Sequence, residues 1–267
     1  MPQPQLHFYA FGEGVKAFSS TRKGGCSEGN YSAFNINHYC GDSEEAIQKN
    51  RTSLCQLLGI SEDHLLMPHQ VHQTKIVAVD EAFLELSDAE RKARLEGVDA
   101  LMTNLAGVCI GVSTADCIPV LIYDRVKRVS CAVHAGWRGT VKRIAEKAVK
   151  AMISVYGSCP TDLLAQIGPG IHLESFEVGD EVYETFEKEG FEMSSISRKY
   201  PVINNSGQEK WHIDLPLCNC QQLLASGIPS CQIAVSEVCT YQHSETYFSA
   251  RHLGINSGRI FTGILML

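Results

Sequence analysis

Two apolar runs joined by a short charged turn constrain the fold of this chain more than any other feature. The runs are IPVLIYD (residues 118–124) and RVSCAVH (residues 128–134), and they are apolar at successive rather than alternate positions. Strands with this pattern are covered on both faces and therefore lie inside a layered protein. The sequence thus predicts a buried hairpin with further structure packed on each side.

The rest of the chain alternates helical and strand patterns. Helices are predicted where Ser43 can cap and Gly59 can end an apolar stripe, and in the segments 140–157, 179–190 and 215–227. Strands are predicted in the segments 75–80, 163–171, 231–238 and 258–267, and a short strand is predicted at the start of segment 17–29, before its glycine-rich turn. The connections are short, so several neighbouring strands are expected to be antiparallel. The mixture indicates an α/β or α+β protein.

Composition limits the class of protein and its partners. The 267 residues are 44% hydrophobic with no linker-like tract or repeat, which predicts one domain over residues 1–267. A net charge of −7 without a basic stripe argues against nucleic acid as a partner. Neither an N-terminal leader nor an apolar run long enough to span a membrane is present, so no membrane association is expected. The 11 cysteines form no regular framework and predict reduced thiols in a cytoplasmic protein.

The hairpin brings a cysteine and a histidine together. If its turn centres on Arg125 and Val126, position 117 lies opposite position 134, and opposed residues share one face of the sheet. Cys117 and His134 are therefore predicted to be neighbours. Pro119 indicates that regular pairing ends close to Cys117, at the mouth of the hairpin.

A neighbouring cysteine and histidine are compatible with two chemistries. The imidazole can activate the thiol as a nucleophile, or both groups can bind zinc. A metal needs a third ligand, and the segment MPHQVHQTK offers His69 and His72 just before a predicted strand. His72 is nearer the strand and better fixed, so it is the preferred third ligand. The pattern alone favours a structural role, in which the histidine is a hydrogen-bonded core residue and the cysteine a small apolar one.

Motifs along nearly the whole chain resemble those of the YfiH/laccase-domain family. They occur in the order FSSTRKGGCS, HQVHQTKIVAVD, GVDALMTN, GVSTADCIPVLIYD, AVHAGWRGT, IGPGI and YFSAR. Members of this family were once described as multicopper polyphenol oxidases and are now described as purine nucleoside phosphorylases. Two departures stand out: Gly170 occupies a position that often holds cysteine, and His252 replaces the second of two arginines.

The resemblance implies a fold, a metal centre and an activity. The fold would be a single mixed α/β domain with α-β-β-α layers, similar to the cytotoxic necrotizing factor and YfiH-like fold. The ligands would be His72, Cys117 and His134, holding zinc, with copper as a possible occupant. The activity would be phosphorolysis of adenosine, inosine and S-methyl-5'-thioadenosine, with phosphate as co-substrate and adenosine deamination as a second reaction. The assembly would be a monomer or a homodimer.

Five further residues are candidates for the site. Asp116, beside Cys117, is a candidate proton carrier, although a role in capping a turn is slightly favoured. Arg51, Asn35, Arg138 and Arg251 are candidate substrate-binding residues, and each has an ordinary structural alternative. His252 in place of a second arginine puts in doubt any substrate contact that depends on that arginine.

Three other functions compete with the nucleoside enzyme. A copper polyphenol oxidase would need repeated histidine clusters, and only one His–Cys–His set is apparent. A Cys–His amide hydrolase, for example one that edits peptidoglycan precursors, would use the same cysteine and histidine without a metal. A binding module without enzymatic activity is less well supported, because the sequence has no exposed repeat or charge tract.

Overall fold

Two β-sheets lie face to face at the centre of this computed structural model, which describes residues 3–201 and 209–267. The first sheet consists, in spatial order, of β1 (Leu6–Tyr9), β2 (Val15–Ser20), β14 (Ile260–Met266), β6 (Cys109–Thr114) and β3 (Leu65–Leu66). The second consists of β13 (Ile233–Val235), β9 (Leu163–Ile167), β7 (Ile118–Asp124), β8 (Val129–Ala135), β5 (Ala100–Thr103) and β4 (Ile76–Val79). A small third sheet has the order β10 (Glu177–Val178), β12 (Glu209–Ile213), β11 (Ser197–Pro201).

Alternating side chains of the central strands fill two different cores. Leu121 and Tyr123 of β7 point toward the first sheet, whereas Val120 and Ile122 point to the opposite face. Successive side chains of a strand face opposite sides of its sheet, so a strand that is apolar at every position must be covered twice. This is the reason that the hairpin lies in the interior, as its sequence predicts.

Helices cover the outer faces of both sheets and complete the α-β-β-α layers. The helices are α1 (Glu44–Leu58), α2 (Glu81–Leu84), α3 (Asp88–Leu95), α4 (Trp137–Val141), α5 (Ile144–Tyr156), α6 (Asp180–Lys188), α7 (Met193–Ile196), α8 (Leu215–Ala225) and α9 (Ala250–Leu253). Helix α1 packs on the first sheet, begins at the predicted cap Ser43 and ends at Gly59 in the left-handed conformation. Helices α5 and α8 pack on the second sheet. Within the described residues, no helix combines the length and apolar character needed to cross a bilayer.

The helix predicted over residues 140–157 is interrupted. Arg143 adopts a left-handed conformation with φ of 61°, which separates α4 from α5. The apolar stripe survives the interruption, because Val141 and Ile144 remain buried on either side of it. The stripe was therefore predicted correctly, but the continuity of the helix was not.

The predicted register of the hairpin is wrong by two residues. Asp124 pairs with Val129, so that His134 lies opposite Pro119 and pairing continues to Ile118. Asp124 is responsible, since its Oδ1 atom accepts hydrogen bonds from the backbone N–H groups of residues 126 and 127 and stabilises a longer turn. A shift by two residues keeps every side chain on its face of the sheet.

Candidate metal centre

Three side chains from separate segments converge beside the mouth of the hairpin. His72 lies in the turn before β4, Cys117 immediately precedes β7, and His134 is on β8. Their ligand atoms all lie within 4.8 Å of one another. The rings of His72 and His134 are arranged edge to face, with 4.8 Å between the ring centroids. Cys117 and His134 are therefore neighbours, as predicted, although Cys117 stands just beyond the paired part of its strand.

The cluster is electrostatically suited to a deprotonated thiol. Burial alone would raise the pKa of Cys117, but the charge of His134 and hydrogen bonds from His134 and His72 outweigh it and lower the pKa to about 6. Burial alone would lower the pKa of His134, but the Cys117 thiolate and the hydrogen bond to Asp99 raise it to about 9. A thiolate is the form that acts as a nucleophile and as a metal ligand.

Asp99 holds two of the three cluster residues by hydrogen bonds. It was not identified as a site residue from the sequence. Its Oδ1 atom accepts hydrogen bonds from His134 Nδ1 at 2.7 Å and from the backbone N–H of His72 at 2.9 Å. Its Oδ2 atom accepts from the backbone N–H groups of Gln73 at 2.7 Å and Val71 at 3.4 Å. One carboxylate therefore directs Nε2 of His134 toward Cys117 and also holds the turn that carries His72.

Two residues of the site adopt backbone conformations that are uncommon outside glycine. His72 has φ of 61° and Asp116 has φ of 82°. Such conformations cost about 1–3 kcal/mol each and persist only where surrounding contacts enforce them. The contacts to Asp99 enforce the first. The second is enforced by the Asp116 carboxylate, which accepts hydrogen bonds from the Thr240 hydroxyl and the backbone N–H of Arg251.

The space between the three ligands is kept open by Gly136. A Cβ atom at this position would lie 2.8 Å from Cδ2 of His72 and 3.0 Å from Sγ of Cys117. The residues fit a transition-metal ion, because two imidazoles and a low-pKa thiol are preferred zinc ligands and converge on this open space. His134 also has the carboxylate partner that metal-binding histidines usually have.

Replacing Gly136 with alanine should displace His72 and Cys117. The backbone of Gly136 has an ordinary φ of −67°, so the effect would come from the added methyl group and not from backbone strain. Overpacking at such a site costs about 1–3 kcal/mol of stability. Zinc titration and thermal unfolding of Gly136→Ala should show weaker binding and a lower Tm. Wild-type zinc affinity in this variant would show that the space is not a ligand site.

The metal-free protein should have an unusually reactive Cys117. Its rate of alkylation by iodoacetamide should rise with pH through a midpoint near 6, well below the ordinary thiol pKa of 9.0, because the thiolate is the reactive form. Cys131 is the internal control, since burial raises its pKa to about 12 and it should remain unmodified. Peptide mass spectrometry would resolve the two sites, and a Cys117 midpoint above pH 8 would contradict the assignment.

A cavity of about 400 Å³ opens above the cluster and is bounded by all three of its residues. Its other walls come from the segment around Tyr39, from His69 and Gln70, from the end of β6 at Thr114, and from Ile255 with its neighbours. A cavity of this size is typical of small-molecule sites. The cluster therefore lies where a small ligand can reach it.

None of the four predicted substrate-binding residues lines that cavity. Asn35 is fully buried, donates to Asp42, and accepts from the backbone N–H of Arg259. Arg51 donates to the backbone carbonyl of Leu65 and borders a neighbouring cavity that shares Tyr39 with the first. Arg138 is exposed, with its guanidinium 4.2 Å from the ring centroid of Trp137.

Arg251 and Asp116 border a third cavity, which shares Ala250 with the cavity above the cluster. Arg251 donates to the backbone carbonyl of Glu177, and its guanidinium lies 5.7 Å from the ring centroid of Phe176. Both oxygens of Asp116 are engaged, since Oδ1 accepts from the Thr240 hydroxyl and Oδ2 accepts from the backbone N–H of Arg251. The structural alternative for Asp116 is thus the one that its contacts favour, whereas its role as a proton carrier stays a prediction.

The chain is thus a layered α/β protein with a cluster of three side chains that can bind a metal, namely His72, Cys117 and His134. The profile of the family described as multi-copper polyphenol oxidoreductase laccase matches residues 16–267. The chain therefore belongs to this laccase-domain family, which includes the proteins named YfiH.

Named relatives and solved structures agree with this assignment. The chain is 45% identical to a purine nucleoside phosphorylase from Bacteroides thetaiotaomicron, over 94% of this chain and 92% of the relative. It is 43% identical to adenosine deaminase RL5 from an unknown prokaryotic organism, over 97% of each. The crystal structure of the Bacillus licheniformis hypothetical protein YfiH is similar, with a TM-score of 0.90, 28% identity and coverage of 99% of this chain and 97% of that one.

Proposed function

We propose that this protein is a purine nucleoside phosphorylase acting on adenosine, inosine and S-methyl-5'-thioadenosine, with adenosine deaminase activity at the same centre. The observation that carries the proposal is the convergence of His72, Cys117 and His134 at an open cavity. Two relatives above 40% identity are named for these two activities, which supports the same assignment.

The proposed metal is zinc, with copper as the alternative. Catalytic zinc sites use three protein ligands, whereas structural sites use four, and the cluster offers three. When bound, zinc supplies Lewis-acid chemistry that lowers the pKa of water toward neutrality. Asp99 keeps the proton of His134 on Nδ1, so that Nε2 is directed to the ion site.

The two reactions require different groups of the protein to be placed near the substrate. In deamination, water adds at purine C6 and ammonia leaves, so the purine must lie with C6 near the cluster. In phosphorolysis, phosphate attacks ribose C1' and the purine leaves, so the chain must hold an anion beside the sugar. Arg51 and Arg251 border the two cavities adjoining the cluster cavity, and they are the proposed anion-binding residues. Asn35 and Arg138 stay predicted substrate-binding residues, although neither lines the cavity above the cluster.

Incubation of the pure protein with adenosine, with and without phosphate, tests both activities. Inosine formation without phosphate would establish deamination. Formation of adenine and ribose 1-phosphate only in the presence of phosphate would establish phosphorolysis. Absence of every product with zinc-loaded protein would refute the proposal. Metal analysis of the same sample separates zinc from copper.

The competing functions make different demands on the cluster. A multi-copper oxidase needs several metal centres, and within residues 3–201 and 209–267 the cluster of His72, Cys117 and His134 is the only group of this kind. A Cys–His amide hydrolase is favoured by one observation, the low pKa of Cys117. Amide hydrolysis that survives a chelator but not a thiol-blocking reagent would identify that alternative.

A further inference from the structure

One wall of the cavity above the cluster is made of two stacked aromatic rings. The ring centroids of Tyr39 and His69 lie 4.2 Å apart with an angle of 23° between the ring planes. His69 is fixed by a 2.7 Å hydrogen bond between its Nδ1 atom and Glu96. The backbone N–H of Tyr39 donates to the side chain of Asn37 at 2.6 Å, which fixes the segment that carries the tyrosine. Hydrogen bonds thus hold both the His69 ring and the segment that carries Tyr39.

The amide side chains beside this wall are already occupied. Gln70 donates to the backbone carbonyl of Ser113 at 2.8 Å and accepts from the backbone N–H of the same residue at 2.7 Å. Asn37 donates to the Ser113 hydroxyl at 2.6 Å and accepts from Tyr39. These amides are engaged in building the wall, so at this wall the rings are the groups left to contact a ligand.

The rest of the lining combines apolar and polar groups. Ile255 is 74% exposed and borders the cavity with an apolar side chain. The polar groups of the lining include His72, Cys117 and His134. The cavity therefore suits a molecule with a flat apolar part and a polar part, which is the chemistry of a nucleoside.

We infer that the purine base of the substrate stacks on the ring of Tyr39, which makes Tyr39 a substrate-binding residue of this site. The inference rests on the proposed nucleoside activity and adds the residue that holds the base. His69 stacks on one face of the tyrosine ring, and the proposal places the base on the other face, in the cavity that Tyr39 borders. Stacking of this kind tolerates different bases, because every purine has an aromatic face.

Steady-state kinetics of Tyr39→Leu and Tyr39→Phe, with adenosine and inosine, test the inference. Stacking of a base on an aromatic side chain contributes about 1–3 kcal/mol, which corresponds to roughly a 5-fold to 150-fold change in binding. Tyr39→Leu should raise KM by at least about fivefold for both nucleosides and leave kcat nearly unchanged. Tyr39→Phe is the matched control, which retains the ring and should keep the wild-type KM.

Three kinetic outcomes would overturn the inference. They are a wild-type KM for Tyr39→Leu, a raised KM for only one of the two nucleosides, and an equal loss in Tyr39→Phe, which would assign the effect to the hydroxyl. Tyr39 is 41% exposed, so Tm should change little in either variant. If Tyr39→Leu does not fold, Tyr39→Trp is the second variant, and its larger ring should retain or lower the KM.

Calorimetric titration separates failure of this inference from failure of the proposed function. If the wild-type protein does not turn over nucleosides, adenosine binding can still be measured directly. Wild-type binding that is weakened in Tyr39→Leu and kept in Tyr39→Phe would support the stacking surface. No binding by the wild-type protein, or equal binding by all three proteins, would overturn it.

Discussion

Replacing Cys117 with alanine should remove bound metal and lower both nucleoside activities by more than about 100-fold. The substitution deletes the only sulfur ligand of the cluster and leaves two imidazoles, which is too few for a catalytic zinc centre. Metal content by atomic emission, followed by assays of deamination and phosphorolysis, measures the effect. Stability should change little, because Cys117 is only partly buried.

The matched control is Cys131→Ala, which makes the same chemical change in the same hairpin. Cys131 is fully buried in β8, belongs to the apolar core and has no part in the cluster. This variant should keep its metal and its activities and lose only some stability. If Cys117→Ala lost its metal but kept full deamination, the metal would have no role in that reaction.

Replacing Asp99 with asparagine should weaken zinc binding by about 10–100-fold, the usual effect of losing the partner of a metal-binding histidine. The carboxylate accepts hydrogen bonds from His134 and from the turn at residues 71–73 through both oxygens. An amide has only one oxygen, so its NH2 group would face a donor inside the protein. Such a buried mismatch costs about 1–3 kcal/mol of stability. Zinc titration and thermal unfolding measure the two effects.

Asp124→Asn is the control for this second prediction. Asp124 is also fully buried, but it holds the far turn of the hairpin, and among the residues that the structure describes only its Oδ1 atom accepts hydrogen bonds. The amide oxygen can replace that atom, so zinc affinity should be unchanged and stability should fall less than in Asp99→Asn. Equal loss of zinc affinity in the two variants would contradict the role assigned to Asp99.

The stabilising effect of Asp99 should also depend on pH. Burial alone would raise its pKa, but the hydrogen bond and charge of His134 and the N–H groups of the turn lower it below the ordinary value. A carboxyl whose pKa is lower in the folded protein contributes its full stability above about pH 4 and loses it as pH falls through the folded pKa. The difference in stability between wild type and Asp99→Asn should therefore shrink in acid.

The sequence was sufficient to predict the buried hairpin and the meeting of Cys117 with His134. Both predictions depend on the alternation of side chains between the two faces of a sheet. A register error of two residues leaves each side chain on its face. The error itself arose at Asp124, whose capping of the turn depends on backbone geometry that a strand pattern does not contain. A one-residue error would have moved Cys117 to the other face and lost the cluster.

Other parts of the site depend on contacts between distant segments and were harder to predict from the sequence. Asp99 could have been suspected, because it is a charged residue directly before the apolar run of residues 100–102. Tyr39 and Arg51 lie far from the hairpin in sequence, and only the fold shows which cavity each one borders. The residue types fixed the chemistry of the cluster, but not the shape of the space around it.

The hydrogen bonds that Asp99 accepts also affect how the centre gains and loses a metal ion. A hydrogen bond from its backbone N–H to Asp99 holds His72 in its uncommon backbone conformation, so this part of the centre does not depend on an ion for its geometry. Chelation should then extract the ion without unfolding the chain, unlike a zinc finger, whose fold depends on its metal. If the proposed function holds, nucleoside turnover should be lost on chelation and return when zinc is added back to the still folded protein.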